Sequence, residues 1–186
     1  ELVMKNRSFR RFHEEILIDR KAIEEMIDLA RMSPSAANLQ PLKYMIVNDP
    51  ETNARVFPNL AWAGYIKDWD GPAEGERPSA YIVILGDTEI SSKFGCDHGI
   101  CAQSILLGAA EKGLGGCMIG SIKRDGLRDV LRISPQYEIL LVIALGKPAE
   151  KVELETTEAH GNIMYWRDEN EVHHVPKRPL GEIIIS

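Results

Sequence analysis

The sequence is short of cysteine, of long apolar runs and of positive charge, and each shortage closes off a class of protein. Three cysteines in 186 residues are too few, and odd in number, for a disulfide scaffold. That fits a reducing compartment and sets the expectation of a cytoplasmic protein. No apolar stretch is long enough to cross a bilayer, and the first residues are charged rather than signal-like, so no membrane partner is expected. With 22 Lys and Arg against 28 Asp and Glu, the formal net charge is −6. A nucleic-acid backbone or an anionic membrane would be repelled rather than bound. Internal repeats, low-complexity tracts and linkers are missing too, so residues 1–186 read as one domain with a substantial core. There is no Gly-x-Ser-x-Gly elbow, and no Ser or Cys has an evident histidine partner. If the chain is an enzyme, a bound cofactor does the chemistry.

What is present alternates between helix and strand patterns. Asp19 can cap a helix whose stripe is Ile23, Met26, Ile27 and Ala30, and Pro34 stops it near Met32. Leu42 to Val47 reads as a strand, and Asp49-Pro50 as the cap and first position of a short helix. Tyr81-Ile82-Val83-Ile84-Leu85, inside Ser79 to Gly86, is the continuous apolar run of a buried strand. Asp97 reads as the cap of a long helix ending at Gly113, apolar almost all round and therefore buried in the core or against another subunit. Gly115 to Ile119, Arg124 to Leu131 and Glu138 to Leu145 read as strand, helix and buried strand, the last closed by Gly146-Lys147-Pro148. The remainder, 149–186, is polar and without period until Ile183-Ile184-Ile185, which needs a sheet edge to join, in this chain or a neighbour. Pro58 to Pro78 reads as a long loop carrying Trp62, Tyr65 and Trp69, either a lid over a site or a plain surface loop.

Four segments bear on chemistry. Arg7, Ser8 and Arg10, within Asn6-Arg7-Ser8-Phe9-Arg10-Arg11-Phe12, offer guanidinium forks and a hydroxyl suited to one phosphate. On spacing alone a solvated basic face paired with Glu14 and Glu15 is the favoured reading. Ser33-Pro34-Ser35-Ala36-Ala37-Asn38-Leu39-Gln40-Pro41 joins a helix to a strand with small residues and planar amides, a surface that fits the edge of a heteroaromatic ring. Gly113-Leu114-Gly115-Gly116-Cys117-Met118-Ile119-Gly120 is neither a dinucleotide fingerprint nor a phosphate-binding P-loop, because its glycines follow a helix and no Gly-Lys-Ser/Thr follows. It would let backbone N–H groups approach a ligand, or simply form a helix cap and a tight strand. Cys96, His98, Cys101 and Cys117 lack the paired Cys-x-x-Cys spacing of a strong metal site, so no metal is expected. His173-His174 reads as exposed or interfacial.

The order and spacing of the Arg7 to Phe12, Pro34 to Pro41, Gly113 to Gly120 and Ala144 to Pro148 segments resemble the FMN-dependent nitroreductase family over most of the chain. That resemblance implies an α+β fold, a central mixed or antiparallel sheet flanked by helices, with the 149–186 extension swapped onto the partner subunit of a homodimer. It implies FMN at the dimer interface. Arg7, Ser8, Arg10 and Lys147 would hold the phosphate and pyrimidine edge. Pro34, Ser35, Ala36, Asn38 and Gln40 would meet the flavin from the partner, and Cys117, Met118, Ile119 and Gly120 would lie along its ring. It further implies NADH or NADPH as donor, a small nitroaromatic or quinone as acceptor, and no catalytic side chain. A flavin store or sensor without turnover is the alternative.

Overall fold

The two longest apolar runs of the sequence become the two central strands of a five-stranded sheet. In the computed structural model, which describes residues 1–67 and 69–185, β3 (Ala80–Asp87) is buried along its whole length. It pairs antiparallel with β5 (Tyr137–Pro148), from Ala80↔Leu145 to Asp87↔Tyr137. β2 (Leu42–Val47) lies antiparallel on the other side of β3, and β4 (Gly115–Ile119) antiparallel on the other side of β5. β1 (Phe12–His13) continues beside the last two residues of β5. Every pair in this sheet is antiparallel, which narrows the expected mixed or antiparallel sheet to the second form.

Helices cover both faces, so β3 has no outward polar position and its sequence does not alternate. Ile23, Met26 and Ala30 of α2 (Arg20–Arg31) and Cys101, Ala102, Ile105 and Ala109 of α4 (Asp97–Glu111) pack on one face, against Ile82, Ile84, Ile143 and Leu145. Val56 of α3 (Pro50–Val56) and Leu127 of α5 (Arg124–Leu131) pack on the other, with Tyr81, Val83, Val142 and Ala144. Such burial contributes about 1.5–3 kcal/mol per large apolar side chain, and it makes the sheet a rigid base for its edges. α1 (Leu2–Lys5) buries no residue.

Local signals were obeyed with informative exceptions. Asp49 caps α3, its Oδ1 accepting from the Thr52 N–H at 2.8 Å, with Pro50 next. Cys96, not Asp97, is the residue before α4, and the Asp97 carboxylate is bonded elsewhere. β5 runs on through Gly146-Lys147-Pro148 because β1 supplies partners there. Gly116 is required where β4 closes on β5: a Cβ would stand 2.2 Å from the Ala144 carbonyl oxygen.

The segment after β5 has its own small sheet. β6 (Val152–Thr156) pairs parallel with β8 (His173–Lys177), and β7 (Trp166–Arg167) antiparallel with β8. Ile183 ends a one-turn α6 (Leu180–Ile183) rather than entering a strand. Ile185 is 97% exposed, so this apolar tail has no cover in its own chain. Ser186, and Asp68 within the Pro58 to Pro78 loop, lie outside the described residues. No helix among the described residues is long and apolar enough to cross a membrane.

Candidate functional site

The Arg7 to Phe12 segment runs along the free edge of β4. Phe9 N–H donates to the Gly116 carbonyl at 3.1 Å, and Ser8 bridges Gly116. This contact sorts the three arginines. Arg11 turns away from the β4 edge. Its guanidinium pairs with Glu76 at 2.5 Å and Glu171 at 2.7 Å, and the Glu76 hydrogen bond is the first cause of its raised pKa. Arg7 and Arg10 instead enter two hollows.

Arg7 and Ser8 line a cavity of about 250 Å³ with Gln103 and Leu106 of α4, Met118 of β4 and Lys177 of β8. One terminal Arg7 nitrogen donates to the Val3 carbonyl, while its Nε is buried without a partner. Arg10 lines a second cavity of about 220 Å³ with Trp62, Cys117, Met118, Ile119 and Gly120. Met118 lines both, so the two hollows adjoin across one exposed side chain. Among the described residues neither wall carries a carboxylate, although the chain as a whole is acidic. Because Gly116 turns its carbonyl toward Phe9, the two-residue alternation of the strand turns the backbone of Met118 to the same edge.

The C-terminal sheet holds Arg10 in place. Its guanidinium donates to Nε2 of His173 at 3.2 Å and lies 5.1 Å from the ring centre of Tyr165. Its backbone N–H donates to Glu150 Oε1, as does that of Arg11 at 3.1 Å. The other oxygen of Glu150 accepts from Arg167 at 3.0 Å, a pair whose side chains are 1% and 10% exposed. The Pro58 to Pro78 loop is tied to the same segment, with Tyr65 against Tyr165 and Trp69 beneath Arg167.

His173 is buried rather than exposed or interfacial, because β8 turns it under Arg10. Arginine cannot accept a hydrogen bond, so Nε2 is the acceptor and the proton sits on Nδ1, which has no partner. Burial first, then the charge of Arg10, pushes its pKa down from 6.5 to about 4. The unfolded chain therefore takes up a proton that the folded one refuses, and stability present above pH 6.5 is lost as pH falls toward 4. The loss from this group should be about 3 kcal/mol. Urea unfolding at pH 7.5 and pH 4.5 should show that His173→Gln loses less stability on acidification than the wild type; equal losses would remove His173 from the account.

The remaining predicted residues separate. Ser35 and Gln40 line a third hollow of about 150 Å³ with Tyr44, Asp97 and Cys101. Pro34, Ala36 and Asn38 belong to the same turn. Asp97 and Cys101 lie on one face of α4 and Gln103 and Leu106 on the opposite one, so within one chain this turn and the Arg7 cavity stand on either side of the helix. Lys147 lines neither arginine cavity; its Nζ donates to the Gly113 carbonyl at 3.0 Å. The cysteines are split between the two faces of the sheet, Cys101 on one and Cys117 on the other. Burial pushes the Cys117 thiol up to about 12, which leaves it protonated at neutral pH and inert as a nucleophile. Sequence reading missed Gln103, Lys177, Glu150 and Tyr165. Three of these lie beyond the last core strand, where no period marks a buried face.

Comparison with known proteins bears on the family and the fold. The model of the Nitroreductase family matches residues 3–147. A protein of Archaeoglobus fulgidus provisionally named NADH dehydrogenase/NAD(P)H nitroreductase is 25% identical over 160 residues, which cover 81% of this chain and 86% of that one. A nitroreductase family protein from Streptococcus pneumoniae TIGR4 superposes with a TM-score of 0.73 at 20% identity, covering 100% and 98% of the two chains. An FMN-dependent nitroreductase from Clostridium difficile R20291 gives 0.66 at 22% identity, covering 81% and 87%.

Proposed function

The chain belongs to the nitroreductase family, and from that premise we propose that it is an FMN-dependent oxidoreductase that takes electrons from NADH or NADPH and reduces small nitroaromatic or quinone acceptors as a homodimer. The observation that carries this is the pair of adjoining cavities. Their walls combine Arg7, Arg10 and Lys177 with Ser8 and Gln103, and among the described residues they carry no carboxylate and leave a buried arginine donor without a partner. Such a donor set suits a phosphate ester joined to a planar polar ring.

Arg7, Ser8 and Lys177 would hold the phosphate, with Lys177 in the place expected of Lys147. Arg10, fixed by His173 and Tyr165, would set a positive charge beside the pyrimidine edge and favour negative charge there. The edge-facing backbone of Met118 would offer an N–H donor to the ring, with Gly120 beside it, and Trp62 on the wall of the Arg10 cavity would help keep water out. When bound, FMN supplies the two-electron carriage between nicotinamide and acceptor. No thiolate or catalytic histidine is required, since Cys117 stays protonated and His173 stays neutral. A second chain would bring its Pro34 to Gln40 turn to this site and cover the exposed Ile183-Ile184-Ile185 tail, for which the unpaired edge of β2 is a ready partner.

An absorbance spectrum of the purified protein, before and after NADH or NADPH is added without oxygen, tests the proposal. Flavin bands that bleach are expected. Bands that persist with both donors would favour a flavin store or sensor, and a colourless protein that takes up no added FMN would end the proposal.

A further inference from the structure

Asp97 is a buried carboxylate that no step above uses. It is 3% exposed, and the hydrogen bonds found for its carboxylate all come from one turn, Pro34 to Gln40. Ser35 Oγ donates to its Oδ2 at 2.6 Å, and the Ala36 N–H reaches Oδ1 at 3.1 Å. The same Ser35 hydroxyl accepts from the Gln40 N–H at 2.9 Å. Carboxylate, hydroxyl and amide thus form a chain that closes the turn at both ends. Between those ends the backbone is strained. Ala37, Asn38 and Gln40 have φ of 50°, 55° and 51°, the left-handed region that costs a non-glycine residue energy at each position. A turn of three such residues holds its shape only where the surroundings dictate it, and the groups bonded to it here are the Asp97 carboxylate and the Ser35 hydroxyl. The turn leaves Asn38, Leu39 and Gln40 exposed.

We infer that Asp97, acting through Ser35, is a positioning residue: it locks the strained turn that presents Asn38 and Gln40 to the FMN site of a second copy of this chain. The inference rests on the proposed function and adds to it a division of labour. Ser35 and Ala36 spend their polar groups inside the turn, Gln40 gives one side-chain amide N–H to the Asn38 carbonyl at 3.2 Å, and what remains of the two exposed amides would face the ligand. Asp97 lies across α4 from the Arg7 cavity of its own chain, so its influence on flavin binding must pass to the neighbouring subunit.

The test measures FMN binding by quenching of flavin fluorescence in purified dimers, with no activity readout. Ser35→Ala, which leaves the core untouched, should weaken FMN binding about tenfold, and Ser35→Thr, which restores a hydroxyl, should recover most of it. Asp97→Asn should weaken it at least as much. Mixed dimers then separate this role from a general loss of stability. Ser35→Ala chains combined with Arg7→Ala chains should regain one tight site per mixed dimer, because one subunit still supplies the arginine and the other the turn. Wild-type affinity in both Ser35→Ala and Asp97→Asn would overturn the inference while leaving the FMN reading intact. Mixed dimers that bind no better than their parents would overturn the transfer between subunits. A wild-type protein that binds no FMN would overturn the proposed function itself.

Discussion

Arg7→Ala should lose FMN while keeping its fold. Arg7 stands on the exposed N-terminal segment, and its protein contact is to the carbonyl of Val3 in a helix that buries nothing, so little folding energy depends on it. Its buried Nε has no protein partner, and Lys177 and Ser8 share its cavity. Removing a charge-assisted contact of this kind should cost about 1.5–3 kcal/mol, roughly 10- to 150-fold in the FMN dissociation constant. Arg7→Lys should fall between, because it retains the charge but not the planar fork. Isothermal titration of the FMN-free protein measures the affinity, and a urea melt shows that the fold is unchanged. An Arg7→Ala protein that binds FMN as tightly as wild type would remove the phosphate from this cavity. Lys177→Ala should act in the same direction, but the two losses should not add, since both cations would face one dianion.

The body of the fold was legible because its helices and strands bury faces that repeat at their own periods. The stripe of Ile23, Met26 and Ala30 and the unbroken run of β3 each report burial directly. The arginine motif was legible as a set of donors but not as an arrangement. Three arginines within five residues look alike in sequence, and only the contact of Phe9 with Gly116 sends Arg7 and Arg10 to the cavities and Arg11 to Glu76. The choice of lysine was undetermined in the same way. Lys147 and Lys177 each stand beside a proline, and what separates them is that β8 ends at the Arg7 cavity while Lys147 reaches Gly113 in the turn after α4. Residues 149–185 were the least legible. Their order comes from polar pairs far apart in sequence, such as Arg10 with His173 and Arg11 with Glu171, and pairs of that kind leave no period.

Glu150→Ala should be the most damaging polar substitution outside the core. Glu150, two residues after β5, ties the N-terminal motif to the C-terminal sheet. One oxygen takes the backbone N–H groups of Arg10 and Arg11, and the other takes Arg167. Its removal leaves a buried guanidinium without its carboxylate and two backbone donors without acceptors. Breaking a buried pair on one side costs about 3–5 kcal/mol, a large fraction of the stability of an ordinary domain. Glu150→Gln retains the shape and one acceptor and should cost less, about 1–3 kcal/mol. Denaturant unfolding measures both losses, and a Glu150→Ala variant within 1 kcal/mol of wild type would show that the strap is not structural. FMN titration of the folded Gln variant then asks what the strap is for. If it exists to aim Arg10 into the cavity, FMN affinity falls along with stability. If stability falls and affinity does not, His173 and Tyr165 hold Arg10 unaided, and Glu150 serves only to fasten the C-terminal sheet to the body.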